Sequence, residues 1–249
     1  MGEVSLNVKL LRYTPMPEEI VAMGAKLCYS SADIDELERG IEAKDQSKFL
    51  NKLMDMGHLS PVEHASFTVG IEGVSRSLLA QITRHRIASF SVKSQRYVSE
   101  RTDGEDTFNY IIPPSIKELG QEYVDKYKSQ MAQIQKWYNE WLDVLGNRGE
   151  ASNQDARFVL PNSAETKLIV TMNARELLHF FSLRCCNRAQ WEIRRLAIEM
   201  LRQVKKVAPN LFKNAGPGCL RGACPEGRMS CGRAEEVREM FKSIDWETR

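Results

Sequence analysis

The sequence lacks an apolar run long enough to cross a bilayer, so no transmembrane helix is expected. It also lacks a charge of one sign. Thirty-five basic residues stand against 33 acidic ones, a net charge of +2, which argues against a protein that coats nucleic acid with a broadly basic surface. No glycine fingerprint for phosphates is present: neither G-x-G-x-x-G after a strand nor G-x4-G-K-[ST] occurs, so any dinucleotide would bind without a Rossmann unit. The opening Met-Gly-Glu-Val-Ser-Leu has no basic segment followed by an apolar core, and Leu6 stands where myristoylation wants Ser or Thr. The expectation is a soluble cytoplasmic chain. Cysteine is sparse. Cys28, Cys185, Cys186, Cys219, Cys224 and Cys231 read as reduced thiols, and the C-x4-C-x6-C spacing of the last three is not a tight zinc pattern, so no metal is expected.

What is present, in 249 residues of which 42% are hydrophobic, is enough apolar material for one large core or two small ones. The expectation is one catalytic domain over 1–249 with a Gly/Cys-rich tail at about 214–233. One stretch organises the rest. Thr83–Tyr97 carries three arginines, a lysine, a histidine and three serines, with no carboxylate among them. Guanidinium forks and serine hydroxyls suit an anion, although a solvated basic face beside acidic neighbours would read the same way.

Alternation at Val4, Leu6, Val8 and Leu10 predicts a half-buried strand ended by Pro15 and Pro17, and Pro17-Glu18-Glu19 opens a helix to about Cys28. Residues 31–46 are polar and predict a loop or short helix. Phe49, Leu50, Leu53 and Met54 share a helical face, with Gly57 as its stop. Phe67, Val69 and Ile71 predict a second strand, and Ser75 caps a helix that runs into Arg84-His85-Arg86 and then a loop. The clearest helix holds Val124, Tyr127, Met131, Ile134, Tyr138, Trp141 and Leu145 in one seam, with its aromatics read as core, against another helix of the chain or of a partner subunit. Residues 147–165 read as loop. Lys167–Met172 predicts a strand, Asn173 an N-cap, Trp191–Val204 a helix and Ala234–Ile244 a last short one. The elements follow no βαβ rhythm. The fold class expected is α+β: a small mixed sheet packed with several helices.

Three polar clusters stand out: His58–His64, Arg84–Arg96, and Arg157 with Asn173, Arg175, His179, Arg184 and Arg188. Singly, each residue has an ordinary explanation. Arg175 can pair with an acid and His64 can be a core histidine. Together they make a site rich in donors with no evident nucleophile–base pair, which fits a phosphorylated, planar, acidic ligand and a cofactor for the difficult chemistry.

Arg84-His85-Arg86 followed by Ser94 and Arg96 resembles the R-H-R-x7-S signature of the flavin-dependent thymidylate synthases. Gly57-His58 with Ser60-Pro61-x-Glu63-His64 is similar to the family's upstream motif. Asn173-Ala174-Arg175 with Leu183-Arg184 and Ala189–Ile193 is similar to its downstream one. The resemblance implies dTMP formation from dUMP with 5,10-methylenetetrahydrofolate as carbon donor, reduced FAD as hydride donor and NADPH as reductant, at a non-Rossmann flavin site. It assigns FAD contacts to Ser60, Arg84, His85, Arg86, Asn173, Ala174, Arg175 and His179, with His58 as a flavin or folate contact. It assigns dUMP contacts to Gln81, Ile82, Thr83, Arg84, Val92, Lys93, Ser94, Gln95, Arg96, Arg157 and Arg184, with Arg184 as the catalytic residue. It further implies a homotetramer with sites shared between subunits, and no nucleic acid or membrane partner. Ser91-Val92 departs from the family's frequent Asn-Glu, and His179 stands where some relatives have Asn. Two other readings are a nucleic-acid groove along Arg84–Arg101 with Phe90 and Tyr97 for stacking, and a metal site on Cys219, Cys224 and Cys231.

Overall fold

The computed structural model describes residues 2–244. A four-stranded sheet, β1 (Asn7–Tyr13), β2 (Ser66–Ser75), β3 (Ala88–Val92) and β4 (Glu165–Asn173), has the order β1-β2-β4-β3. The class is α+β, as expected, and the four strands run antiparallel; among the described residues a parallel pairing occurs only as the isolated bridge between Glu3 and Tyr110. Register is visible in the Thr68–Thr171 hydroxyl pair at 2.9 Å and in the Lys93 amide donating to the Lys167 carbonyl at 2.8 Å.

Helices α1 (Pro17–Leu27), α2 (Ile34–Glu42) and α3 (Ser47–Asp55) come between β1 and β2. Proline at the first turn and Glu18 and Glu19 behind it start α1 as the sequence predicts, while Asp33 caps α2 by accepting the Glu36 amide at 2.8 Å. Helix α4 (Arg76–Ile82) follows β2, capped by Ser75. After β3 come α5 (Pro114–Glu118), α6 (Gln121–Val144) and α7 (Glu150–Ala156), then β4, α8 (Ala174–Arg184), α9 (Trp191–Lys205) and α10 (Ala234–Ser243). Two segments read as loop are structured, β3 and α7. The predicted seam of α6 also needs correction. Val124, Met131 and Tyr138 are buried, but the buried line continues through Gln135 and Leu142, leaving Trp141 49% exposed.

The chain divides into two compact units. The first holds residues up to Asn7, Ile71–Arg84 and Phe90–Ile169. Its core sets Phe108, Tyr110, Ile112, Val124, Met131 and Ala164 together, beside a smaller cluster of Tyr138, Leu142 and Ala156. The second holds Val8–Gly70, His85–Ser89 and the chain from Val170 on. A run of edge-packed rings, Phe67–Phe212–Phe181–Phe180, crosses its interior and ends on the imidazole of His85, 4.9 Å from Phe180. Among the described residues no helix is long and apolar enough to cross a membrane.

Candidate active site

In the second unit, β4 hands its last residue to α8. Asn173 leaves the strand with extended backbone, and its Oδ1 accepts the Glu176 amide at 2.9 Å, so it is the N-cap the sequence predicts. That oxygen is spent on the helix, and only Nδ2 remains for a ligand. The Ala174 amide donates to the Ala65 carbonyl at 2.7 Å, which ties the start of α8 to the turn Pro61–His64. The Arg175 guanidinium completes the tie by pairing with the Glu63 carboxylate. Two of the predicted motifs, 57–64 and 173–175, are thus brought together. Ser60 is exposed and His58 half-buried beside them. His64 is exposed rather than a core histidine.

The third motif joins them through His85. Its ring is buried, 5% exposed, and both nitrogens are committed. Nδ1 lies 2.9 Å from Glu176 Oε1, and Arg184 Nε donates to Nε2 at 3.1 Å. Arginine Nε always carries its proton, so Nε2 must be the acceptor and the imidazole proton must sit on Nδ1, donated to Glu176. A protonated ring would set two N–H donors against each other. Burial first, and the Arg184 charge with it, holds His85 below its ordinary pKa against the opposing pull of Glu176, which agrees with a neutral ring. With no ring nitrogen left, an FAD contact at His85 falls to its backbone. His179, exposed on α8, sets its ring edge-on to His85 at 5.9 Å. His179 and Arg184 lie more than one helical turn apart, and His85 is what brings both to one place as α8 ends. A cavity of about 590 Å³ opens beside Arg184 and is walled by Cys186, Arg188, Cys219, Arg221 and Cys224.

In the first unit, α4 ends at Thr83, whose hydroxyl donates to the Leu79 carbonyl at 2.8 Å. The Ile82 side chain is fully buried, so any substrate contact there falls to its backbone. Residues 92–97 leave β3 in a turn. Ser94 Oγ accepts the Arg96 amide at 3.2 Å and the Ser94 carbonyl accepts the Val98 amide at 3.0 Å. The charges here are partly matched: Lys93 reaches Glu100 at 2.6 Å, Arg96 pairs with Glu150 and lies over the Tyr97 ring, and Arg157 Nε donates to the Gln154 carbonyl at 3.1 Å. Gln95 is buried, and its Nε2 has no hydrogen-bond partner among the described residues, an orphaned donor of the kind a ligand satisfies.

Arg84 and Arg86, on either side of the buried His85, are exposed, and no carboxylate pairs with either among the described residues. This donor set fits an anionic dinucleotide. Among the described residues no group of three His, Cys, Asp or Glu side chains is arranged to hold a metal. Sequence reasoning missed two participants. Glu176, one of the acids that Arg175 could have paired with, turns inward onto His85 instead. Arg76, whose guanidinium is pushed below its ordinary pKa by burial and then by the like charge of Arg157, adds a cation beside a predicted substrate residue.

Comparison with known proteins agrees with the motifs. The family model described as thymidylate synthase complementing protein matches residues 9–210. A flavin-dependent thymidylate synthase of Geobacter sulfurreducens is 53% identical over 96% of this chain and 99% of its own length. One from Clostridium tetani is 51% identical over 96% and 98%, and one from Pyrococcus furiosus 43% over 96% and 98%. Among solved structures, ThyX from Helicobacter pylori with FAD and dUMP aligns with a TM-score of 0.63 at 24% identity, covering 84% of this chain and 98% of that one. The UMP/dUMP methylase PolB from Streptomyces cacaoi, bound with 5-Br dUMP, aligns with a TM-score of 0.70 at 24% identity, covering 87% and 98%; both likenesses are of fold. With more than half of its residues shared with a full-length relative and a family match across most of its length, the chain belongs to the flavin-dependent thymidylate synthases.

Proposed function

We propose that the protein converts dUMP to dTMP as a flavin-dependent thymidylate synthase, with 5,10-methylenetetrahydrofolate as carbon donor and NADPH as reductant. The observation that carries this reading is the 3.1 Å contact between Arg184 and His85, 99 residues apart in sequence, which fixes a guanidinium against the R-H-R motif. Reduced FAD supplies the hydride when bound. Ser60, Arg84, Arg86, Asn173 through Nδ2, Arg175 and His179 are the side chains offered to it, with backbone at His85 and Ala174 and His58 toward flavin or folate. Gln81, Thr83, Arg84, Lys93, Ser94, Gln95, Arg96 and Arg157, with backbone at Ile82 and Val92, are assigned to dUMP. Arg184 is assigned to the pyrimidine edge, where a positive charge would favour ionisation at N3 and push electron density toward C5. The ring is then nucleophilic enough to need no covalent partner from the enzyme.

One catalytic domain is proposed, because each of the four strands is divided between the two units, at Asn7/Val8, Gly70/Ile71, Ser89/Phe90 and Ile169/Val170. A homotetramer with shared sites is proposed on the exposed apolar residues Trp137, Trp141 and Val144 of α6, and a cytoplasmic location on six free thiols. The test is the visible spectrum of the purified protein, before and after added FAD, followed by titration with dUMP and assay of dTMP. A flavin band that NADPH bleaches and dUMP perturbs, with dTMP formed only when the folate is present, is the expected result. Failure to bind flavin even after reconstitution would overturn the proposal.

A further inference from the structure

Asn173-x-x-Glu176 opens α8 as a capping box would, and in that motif the glutamate reaches back to the backbone amide of its own cap residue. Only half of the box forms. Asn173 caps the Glu176 amide, but the Glu176 carboxylate turns away and its side-chain hydrogen bond goes to His85 Nδ1 at 2.9 Å. The carboxylate is 7% exposed and the imidazole 5%. Burying a carboxylate against a neutral ring costs free energy that a surface cap would not, even with the first-turn dipole of α8 favouring its charge. The arrangement therefore calls for a role beyond holding a helix end.

We propose that Glu176 is a positioning residue: by holding the His85 proton on Nδ1 it keeps Nε2 a lone-pair acceptor for Arg184 Nε–H, and so aims the guanidinium. The proposal rests on the thymidylate synthase reading for what Arg184 does, but its geometric part stands without it. The chain of cause is short. Without an acceptor at Nδ1, the imidazole is free to carry its proton on Nε2, where N–H meets N–H and Arg184 is turned away. The other charged or titratable groups facing the ring are Arg184, which has no acceptor atom, and His179, whose ring stands edge-on with its centroid 5.9 Å away, whereas Glu176 Oε1 lies 2.9 Å from Nδ1. Glu176 and Arg184 favour the same tautomer from opposite sides of the ring, and Glu176 is the acceptor that holds the proton on Nδ1.

The experiment uses full-length protein with 15N-labelled imidazoles. His85 is identified among the four histidines by the signal lost in His85→Asn. The wild-type spectrum should show the Nδ1–H tautomer. Glu176→Ala should move His85 toward Nε2–H and lower kcat for dTMP formation by roughly ten- to a hundredfold, the loss usual when an outer partner that orients a functional histidine is removed. KM for dUMP and bound FAD should change little. Glu176→Gln keeps an acceptor oxygen at Nδ1 and should restore the tautomer and most of kcat. A wild-type Nε2–H signal, or an unchanged tautomer in Glu176→Ala, overturns the proposal, as does equal loss of flavin, stability and kcat in both variants, the mark of a merely structural brace. If the wild type binds no flavin and makes no dTMP, the functional reading fails, while the tautomer comparison still decides whether Glu176 orients Arg184.

Discussion

The carbonyl oxygen of Ser5 occupies the space beside Gly73 so fully that a Cβ there would stand 1.9 Å from it. Gly73 also has φ of +68°, a left-handed backbone, and its amide donates to Glu165 Oε1 at 2.9 Å while Asn109 Nδ2 holds the other carboxylate oxygen at 2.8 Å. The position lies two residues before Ser75, whose hydroxyl caps α4 by accepting the Leu78 amide at 3.1 Å. Gly73→Ala adds a left-handed penalty of about 1–2 kcal/mol and overpacking of about 1–3 kcal/mol against backbone that cannot swing aside. The expected total, about 2–5 kcal/mol, is a large share of a typical folding free energy. Denaturant unfolding checks it, and a loss below about 0.5 kcal/mol would contradict the close approach.

Asn173 caps a helix with one side-chain atom and is proposed to meet the cofactor with the other, and the two roles can be separated. Its Oδ1 caps α8, and its Nδ2 is the atom proposed to reach the cofactor. Asn173→Asp keeps a capping oxygen, so stability should hold, but the donor is lost and a negative charge appears, so FAD should bind more weakly. Asn173→Ala should lose about 1 kcal/mol of stability as well. Thermal melts of the flavin-free protein beside FAD titrations test this. Equal FAD affinity in wild type and Asn173→Asp would remove Asn173 from the cofactor site.

Caps and breakers were legible because their chemistry is local: Pro17, Asn173 and Ser75 sit where their side chains dictate. β3 was missed although Ala88–Val92 alternates serines with apolar residues, because five residues between basic flanks read as the continuation of a polar loop; its pairing with β4 is tertiary. α7, Glu150–Ala156, has no apolar stripe to read. On α6 the spacing chose Trp141 over Leu142 because 3 and 4 both fit a helical face, and only packing decides between them. Arg84, His85 and Arg184 were recognisable as motif residues. The bond between His85 and Arg184, and the inward turn of Glu176, are tertiary facts that no local pattern encodes.

Arg184→Ala should fold and retain FAD, since the side chain lies at the half-exposed end of α8, yet lose about 10²–10³ in dTMP turnover, the usual loss when one charge-stabilising donor is removed. Arg184→Lys keeps the charge but not the Nε–H that bonds His85, so it should recover only part of the rate. Steady-state kinetics at saturating dUMP read both. Near-wild-type turnover in Arg184→Ala would refute the assignment.

The neutral His85 gives stability a pH dependence whose sign is fixed. Its pKa is lowered on folding, chiefly by burial, from about 6.5 in an unfolded chain. Between the folded and unfolded values the unfolded state binds more protons, so stability rises with pH there. The contribution is fully present above about pH 6.5 and is lost as pH falls toward the folded value. Glu176, Arg184 and His179 are the charged or titratable groups that face the ring. Melts on either side of about pH 6.5 should show a larger acid loss of Tm for wild type than for His85→Gln, which has no such titration. Equal losses would mean that folding leaves the titration of His85 unchanged.

Trp137 and Trp141 are one turn apart on α6, 48% and 49% exposed, with Val144 beside them at 76%. The opposite face of the same helix is already satisfied: Tyr138 and Leu142 are buried, and Gln135 Oε1 accepts the Phe108 amide at 2.6 Å. An apolar stripe left over on a helix with a filled inner face is what a subunit contact would cover. Placing charge on it by Trp137→Glu with Trp141→Glu should leave the monomer folded, because neither ring supports the core, and should shift the species seen by sedimentation to a lower mass. If the proposed active site is shared between subunits, dTMP formation should fall in parallel with that shift and recover in part at higher protein concentration. Unchanged mass in the double variant would move the interface elsewhere on the chain.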